Sequence, residues 1–410
     1  MVSCVAKGSP HASASSDPSI ASLPSRWHQH RLISCHSGDA SSSASQTATP
    51  AVDVSVILPV HNGERWIDGC LESVLAQSVL CEPSRAGSPS VTLQLSAFDD
   101  GSTDGTWSVL QRWVPRLEAA GVHVVLGRSG ATTGGGCGFA KNRAVAQSSG
   151  AWLCFQDVDD VMRPQRIARQ LCEARRHADA IVGSRVEREP EGSTVRYTAW
   201  ANGMSERELV LHRFRECTLL MPTWFMARST FYAGGGGGKD GVSGGFREEK
   251  CEDMLFLQAH VLRGGALRRV DGEPLVVYRY HADAASHAIP RRTILRHRVE
   301  AIEAAVLSPK ARDGDGWRSF TIWGAGRDGR EFFKALTPAT RARVAAFCDV
   351  DPTKVGTDYQ FYEWRVPVVH FRDATPPFVT CVALDRTHGA FEANLASLGL
   401  TEGVDYFYFC

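Results

Sequence analysis

The chain has 410 residues, of which 43% are apolar and 22% charged, and its 45 basic and 45 acidic side chains leave no formal net charge. Such values fit a globular protein of two or three domains that builds its cores without disulfides, and they argue against a polycation or an acidic solvating tail. No apolar run approaches the roughly 18–20 residues of a membrane-spanning helix, no signal-peptide core opens the sequence, and none of the twelve cysteines pairs with another at CxxC spacing.

A reducing, cytoplasmic setting is therefore expected, with Cys70, Cys154, Cys172 and Cys348 as small buried residues and no structural zinc. Residues 1–51 are rich in Ser and Ala, poor in acids and without hydrophobic period, and read as a disordered tail. VSVILPV (54–60) predicts a buried β-branched strand. A helix over 64–77 follows, with Trp66, Ile67, Cys70, Leu71, Val74 and Leu75 on one face and Asn62 as its N-cap. The second strand (92–98) stops at Asp99-Asp100-Gly101, and a helix runs from about 103–106 to Leu117. A third strand (122–127) precedes a Gly-rich loop (134–138) and a helix around AKNRAVAQ. The fourth strand (151–156) ends in DVDD, and the fifth covers 180–184. Alternating strands and helices imply a mostly parallel sheet with helices on both faces.

Segments 80–90 and 234–245, rich in Pro and Gly, read as inserted loops. An Arg-rich helix at 290–306 and a polar linker at 308–316 lead to a smaller α/β unit. Its strands are expected near 319–323, 343–348, 366–371 and 378–384, with a helix over 327–336. The expected division is a tail (1–51), a catalytic domain (52–307), a linker (308–316) and a Rossmann-like C-terminal domain (317–410).

The informative feature is where the acids fall. Asp99/Asp100 and Asp157/Asp159/Asp160 each follow a predicted strand, and open α/β sheets bind ligands beyond the carboxyl ends of their strands. Acids at strand ends also serve as turn formers and caps. Carboxylates gathered in one crevice repel and lose solvation, which a hard divalent cation, Mn²⁺ or Mg²⁺, would offset while phosphates complete its shell.

VSVILPVHNGERWIDGCLESVLAQS, FDDGSTDGT, CFQDVDDVMRPQRI, CEDMLF and YRYH, in that order, resemble the family-2 inverting glycosyltransferases of the nucleotide-sugar-binding GT-A fold. The longer pattern, through FTIWGAGRDGREFFKAL, AFCDVD and HGAFEANL, is similar to the galactosyltransferases that act on queuosine in tRNA. The resemblance implies a mixed-sheet catalytic domain, UDP-galactose as donor, Mn²⁺ or Mg²⁺, and a queuosine-containing tRNA-Tyr acceptor, with no membrane partner. A glycan- or protein-directed N-acetylglucosaminyltransferase is the alternative within this chemistry, and a non-catalytic nucleotide- or RNA-binding protein the one outside it.

The same resemblance implies roles. Pro59 and Asn62 would line the uracil and ribose pocket, Asp100 would accept from uracil, and Asp99 would join it or support the loop. Lys141 and Arg143 would approach the nucleotide. Asp157 and Asp159 would serve ribose and metal, Asp160 the metal, with the division among the three left open. Asp253, beside Glu252, matches the catalytic base. His281, with Arg279, would face diphosphate or metal. One base without a covalent nucleophile suits a single in-line displacement.

GAGRDG (324–329), with Asp349 twenty residues beyond, meets the spacing of a dinucleotide-binding fingerprint, although a small accessory fold explains the glycines as well. Arg291, Arg292, Arg296 and Arg298, with His212-Arg213-Phe214-Arg215 and Arg341/Arg343, are the basic residues a tRNA would use, or else a solvated face. Trp200, Trp224, Phe225 and Tyr232 could stack a modified base or belong to the core.

Overall fold

The computed structural model describes residues 52–81, 91–131, 133–234, 244–308, 316–383 and 387–410. The expected tail, most of both inserted loops and most of the linker lie outside these residues.

Strands β1 (Val54–Val60), β2 (Leu93–Asp99), β3 (His123–Arg128) and β4 (Trp152–Phe155) run parallel. They are followed by β5 (Val161–Met162), β6 (Ala180–Ser184), β7 (Val186–Glu189), β8 (Phe225–Ala227), β9 (Ala266–Val270) and β10 (Val276–Arg279). The main sheet has the order β3-β2-β1-β4-β8-β6-β9, with β8 antiparallel to both neighbours. A small sheet, β5-β10-β7, stands beside it. This is the mixed α/β, Rossmann-like GT-A arrangement.

The sheet is covered on both faces, which is why β1 reads as a nearly unbroken apolar run. Val54, Val56, Leu58 and Val60 pack with residues of helices α1 (Glu64–Leu75) and α2 (Thr106–Ala119). Ile57 belongs to the opposite cluster with Ala140, Ala144 and Val145 of α3 (Cys137–Gln147). Each buried Val, Leu or Ile among them contributes about 1.5–3 kcal/mol. On α1 the expected face holds for Ile67, Cys70, Leu71 and Val74, which are buried.

The expected Asn62 cap is corrected. Gly63 occupies the N-cap position without a side-chain bond. Asn62 instead takes a left-handed backbone (φ 50°), which Asn tolerates. From there its Oδ1 accepts from Thr103 N–H at 2.9 Å, tying the β1 turn to the turn after β2.

Downstream, α4 (Arg166–Arg176) and α5 (Glu252–Leu262) flank the main sheet, and α6 (Arg291–Ile302) leads to the additional C-terminal α/β domain. That domain holds β11 (Phe320–Trp323), α7 (Arg327–Ala335), β12 (Val344–Asp349), β13 (Asp358–Phe361), β14 (Trp364–His370), β15 (Phe378–Thr380) and β16 (Tyr406–Tyr408). Its sheet order is β13-β14-β12-β11-β15-β16, parallel except for the β13–β14 hairpin.

The two sheets share a core. Phe214, Val299 and Ile302 cluster with Phe320, Phe332, Phe333 and Phe407. Polar ties reinforce it, with Arg215 Nε donating to Cys410 O (3.1 Å) and Arg298 Nε to Phe214 O (2.6 Å). These bonds also correct the expected basic tract. Arg213 is buried, Arg341 donates to the carbonyls of Phe333, Lys334 and Leu336, and Arg343 to those of Arg318 and Leu307. Among the expected set, Arg291, Arg292 and Arg296 are exposed; Arg291 pairs with Asp328 at 2.7 Å, and Arg296 faces Glu300 one turn on.

Candidate active site

Strand β4 runs into Gln156-Asp157-Val158-Asp159-Asp160 before β5 begins. This turn is fixed from below by Arg166 of α4, a fully buried guanidinium. It donates to Phe155 O (2.6 Å), Gln156 Oε1 (2.6 Å) and Pro222 O (2.7 Å). Those bonds place the three aspartates together, with one carboxylate oxygen from each within 4.8 Å of the others. Asp160 accepts from Arg279 N–H on Oδ1 (2.9 Å), while its buried Oδ2 finds no partner among the described residues. Asp159 Oδ2 lies 2.9 Å from His281 Nε2. The Trp66 ring packs against both His281 (5.1 Å) and the Arg279 guanidinium (5.3 Å).

Burial first, then the charges of Asp159 and Asp157, push the Asp160 carboxyl well above the usual range. Asp157 is pushed up to about 6, chiefly by burial, with Lys141 opposing. Three hard oxygen donors, one of them orphaned in the interior, fit a divalent cation of the Mg²⁺ or Mn²⁺ kind. A cation there would offset both the repulsion and the unmet oxygen.

The second group lies on α5. Asp253, half-buried in its first turn, accepts from Met254 N–H (2.7 Å), and among the described residues no cation pairs with it. Its neighbour Glu252 is engaged by Lys141 of α3 in a buried ion pair of 2.7 Å. Burial, and next the Glu252 charge, push Asp253 up to about 6. Burial also works against the Lys141 ammonium, yet Glu252 beside it holds its pKa above the ordinary value. Asn142, the next residue, makes a reciprocal pair with Phe246, donating to its carbonyl and accepting from its N–H at 2.9 Å each. Lys141 and Asn142 thus fasten the segment that presents Asp253. Behind them Phe246, Phe231, Phe256 and Trp224 form an aromatic cluster that keeps the ion pair dry.

The β2 turn supplies the third group. Asp99 takes Ser102 N–H (2.9 Å) and faces Arg128 Nε at 3.0 Å, so it supports its own loop. Asp100 accepts from the N–H groups of Gly135 (2.9 Å) and Gly136 (2.8 Å), drawing the Gly-rich loop over the strand ends. Pro59 is half-buried in β1 opposite Phe98, and Arg143 lies over the Phe139 ring at 4.8 Å.

Because β1, β2 and β4 are parallel, their carboxyl ends share one edge. Asp100 holds the loop that leads into α3, and α3 carries the Lys141 that engages Glu252. At Lys141 the charges of Glu252, Asp157 and Asp253 all act on one ammonium. Asp157, Glu252 and Asp253 are thereby grouped around one ammonium. Arg166, Asn142 and Trp66 escape sequence reading, since a buried arginine, an amide clasp and a stacked ring all depend on partners far along the chain.

The comparison with known families now has a geometry to meet. Residues 55–233, which contain β1 through α4, the aspartate cluster and Lys141, match glycosyl transferase family 2. The match covers less than half of the chain. Over 118 residues the chain is 31% identical to the putative teichuronic acid biosynthesis glycosyltransferase TuaG of Bacillus subtilis, covering 29% of the chain and 40% of that protein. Over 116 residues it is 28% identical to a poly(ribitol-phosphate) beta-glucosyltransferase of Bacillus spizizenii, covering 28% of the chain and 16% of that protein. The chain thus spans well under two thirds of the length of these relatives. Among solved structures, S. aureus TarS in complex with UDP-GlcNAc superposes with a TM-score of 0.47 at 16% identity, covering 72% of the chain and 84% of the other. Asp253 and His281 lie outside the matched residues. No helix among the described residues is long and apolar enough to cross a membrane.

Proposed function

We propose that the protein is an inverting glycosyltransferase that takes a sugar from a nucleoside diphosphate and places it on a hydroxyl of a glycan-type acceptor. The observation that carries this reading is a division of labour among carboxylates. Asp157, Asp159 and Asp160 form one cluster with an orphaned oxygen, while Asp253 stands on a different element with no cation paired to it among the described residues. A transfer with inversion needs one base and no protein nucleophile. The relatives named for teichuronic acid and poly(ribitol-phosphate) favour a polymeric glycan as acceptor.

In this reading Asp253 accepts the acceptor's hydroxyl proton as the oxygen attacks the anomeric carbon. The Lys141–Glu252 pair keeps its helix turn in place. Asp159, Asp160 and His281 would hold the divalent cation, with Asp157 shared between it and the donor ribose. When bound, that cation stabilises the charge that develops on the departing diphosphate. Arg279, stacked on Trp66 and paired with Glu189 at 2.8 Å, supplies a fixed positive charge beside it. Asn62, Pro59 and Asp100 line the nucleoside side of the same edge.

A second reading rests on the longer sequence pattern, which continues through GAGRDG and HGAFEANL into the C-terminal domain. It makes UDP-galactose the donor and queuosine in the anticodon of tRNA-Tyr the acceptor. Labelled UDP-galactose, UDP-glucose and UDP-N-acetylglucosamine, each with Mn²⁺, are offered with polyol-phosphate or glycan acceptors and with queuosine-containing tRNA. Label in the glycan supports the first reading, and galactose in tRNA the second. Absence of transfer to either acceptor from any donor overturns both.

A further inference from the structure

The C-terminal domain carries two neighbouring cysteines that the transfer reaction leaves unused. Cys381 directly follows β15, and its N–H donates to Trp323 O at 2.7 Å. Cys410 lies just beyond β16, and its N–H reaches Thr380 O at 3.3 Å. The two strands are parallel neighbours, with Thr380 in register with Tyr408. Both cysteines belong to the apolar cluster at the seam of the two sheets, and their thiols share a hydrogen bond. Neighbouring strands run about 4.7–4.9 Å apart, inside the Cα separation of about 4.4–6.8 Å that a disulfide spans. Here both thiols are free.

The two differ in their surroundings. Cys381 is buried, and burial pushes its thiol well above the ordinary range. Cys410 is half-buried and stands beside two arginines of the catalytic half. Arg215 Nε donates to Cys410 O (3.1 Å), and the Arg298 guanidinium of α6 lies over the ring of Phe409 at 4.4 Å. The buried Nη1 of Arg215 and the buried Nη2 of Arg298 find no partner among the described residues. Cationic N–H groups left unmet in an apolar seam are costly, and a thiolate on Cys410 would answer them. The hydrogen bond with Cys381, and after it Arg298 and Arg215, hold the Cys410 thiol below its ordinary value against burial and the Asp328 charge. Asp328 is itself paired with Arg291 at 2.7 Å.

We propose that Cys410 and Cys381 are a redox-modified pair, in which Cys410 attacks hydrogen peroxide and Cys381 resolves the product into a disulfide. The Cys410 thiolate takes one peroxide oxygen as the O–O bond breaks, and the departing hydroxide picks up a proton to leave as water. Cys410 is then a sulfenic acid. The Cys381 sulfur attacks it, the S–O bond breaks, and that hydroxide leaves as a second water with the Cys381 proton. The two sulfurs together lose two electrons and the peroxide gains them. The new bond would tie the ends of β15 and β16 at the seam and remove the negative charge from beside Arg215 and Arg298.

The test is peptide mapping of the reduced full chain after exposure to hydrogen peroxide, with remaining thiols capped by N-ethylmaleimide in denaturant. Wild-type protein is expected to yield a peptide joining Cys381 to Cys410, lighter than its parts by the two lost hydrogens and split by dithiothreitol. In Cys381→Ala the sulfenic acid has no partner thiol, so dimedone should trap it on Cys410. In Cys410→Ala, Cys381 should stay a thiol that maleimide caps. If either variant fails to fold, the wild-type map decides alone. Absence of the joined peptide, or cross-linking only among other cysteines such as the exposed Cys81, Cys137 and Cys172, overturns the pair. Dimedone on Cys381 in Cys410→Ala, with none on Cys410 in Cys381→Ala, overturns the assignment of roles.

Discussion

Two largely parallel sheets in this chain each end an inner strand in acids, and the two sets of acids have opposite fates. Beyond β4, Asp157 and Asp160 are raised by burial and by neighbouring aspartates, and one oxygen of Asp160 finds no partner among the described residues. At the end of β12, Asp349 is filled by four donors, and Asp351 just after it is drawn down to about 2 by the Thr353 hydroxyl and N–H and by Lys354. Topological position is the same, yet only the first set is left with unmet valence. A carboxylate whose demands are satisfied locally is scaffold, and one whose demands are unmet is a place for a ligand or a reaction.

Substitutions can break or sharpen this contrast. The largest effect is expected at Asp253. Asp253→Asn should lower turnover by about 10³-fold while UDP binding is retained, as initial rates and UDP titration would show. Undiminished turnover would place the base elsewhere. Next, Glu252→Gln or Lys141→Met leaves a buried charge alone and should cost about 3–5 kcal/mol in urea unfolding, with the double variant costing less than the sum.

A smaller effect is expected from the metal. At roughly a hundredfold excess over its Kd, Mn²⁺ should stabilise the wild type by about 2.7 kcal/mol, and Asp160→Asn should abolish that gain in thermal melts with and without EDTA. A variant that still responds fully would remove Asp160 from the cluster's function.

The pH profile follows from the raised Asp253 carboxyl. The ionised form is the working base, so kcat/KM should be flat above about pH 6 and fall about tenfold per unit below it. An ordinary carboxylate would hold its rate to lower pH. The smallest effect belongs to the satisfied acid: Asp349→Asn should cost about 1–2 kcal/mol of stability and leave the Mn²⁺ response untouched.

Much of this was legible in the sequence where the signal is local. VSVILPV announces a strand buried on both faces, and DVDD after an apolar strand announces an acid cluster at a sheet edge. The α1 face was legible for the same reason, because its period repeats within four residues. Asn62 was misread because local spacing favours a cap, whereas its true partner, Thr103, is 41 residues away. The arginines of the basic tract were legible as charge, but that Arg298, Arg341 and Arg343 turn to backbone carbonyls was not, since composition does not say which way a guanidinium turns. Short strands such as β8 and β16, three residues each, carry too little period to be seen. Lys141 shows the same limit: its residue type suggests a phosphate, but the fold supplies Glu252 first.

The apolar cluster joining Phe214 and Ile302 to Phe332 and Phe407 bears on how this protein could have changed over time. Neither half can be excised without baring greasy surface to water, so a genetic exchange that swapped one sheet for a foreign module would have to rebuild the seam as well. The halves are consequently constrained to drift in concert, like two pages bound along one spine.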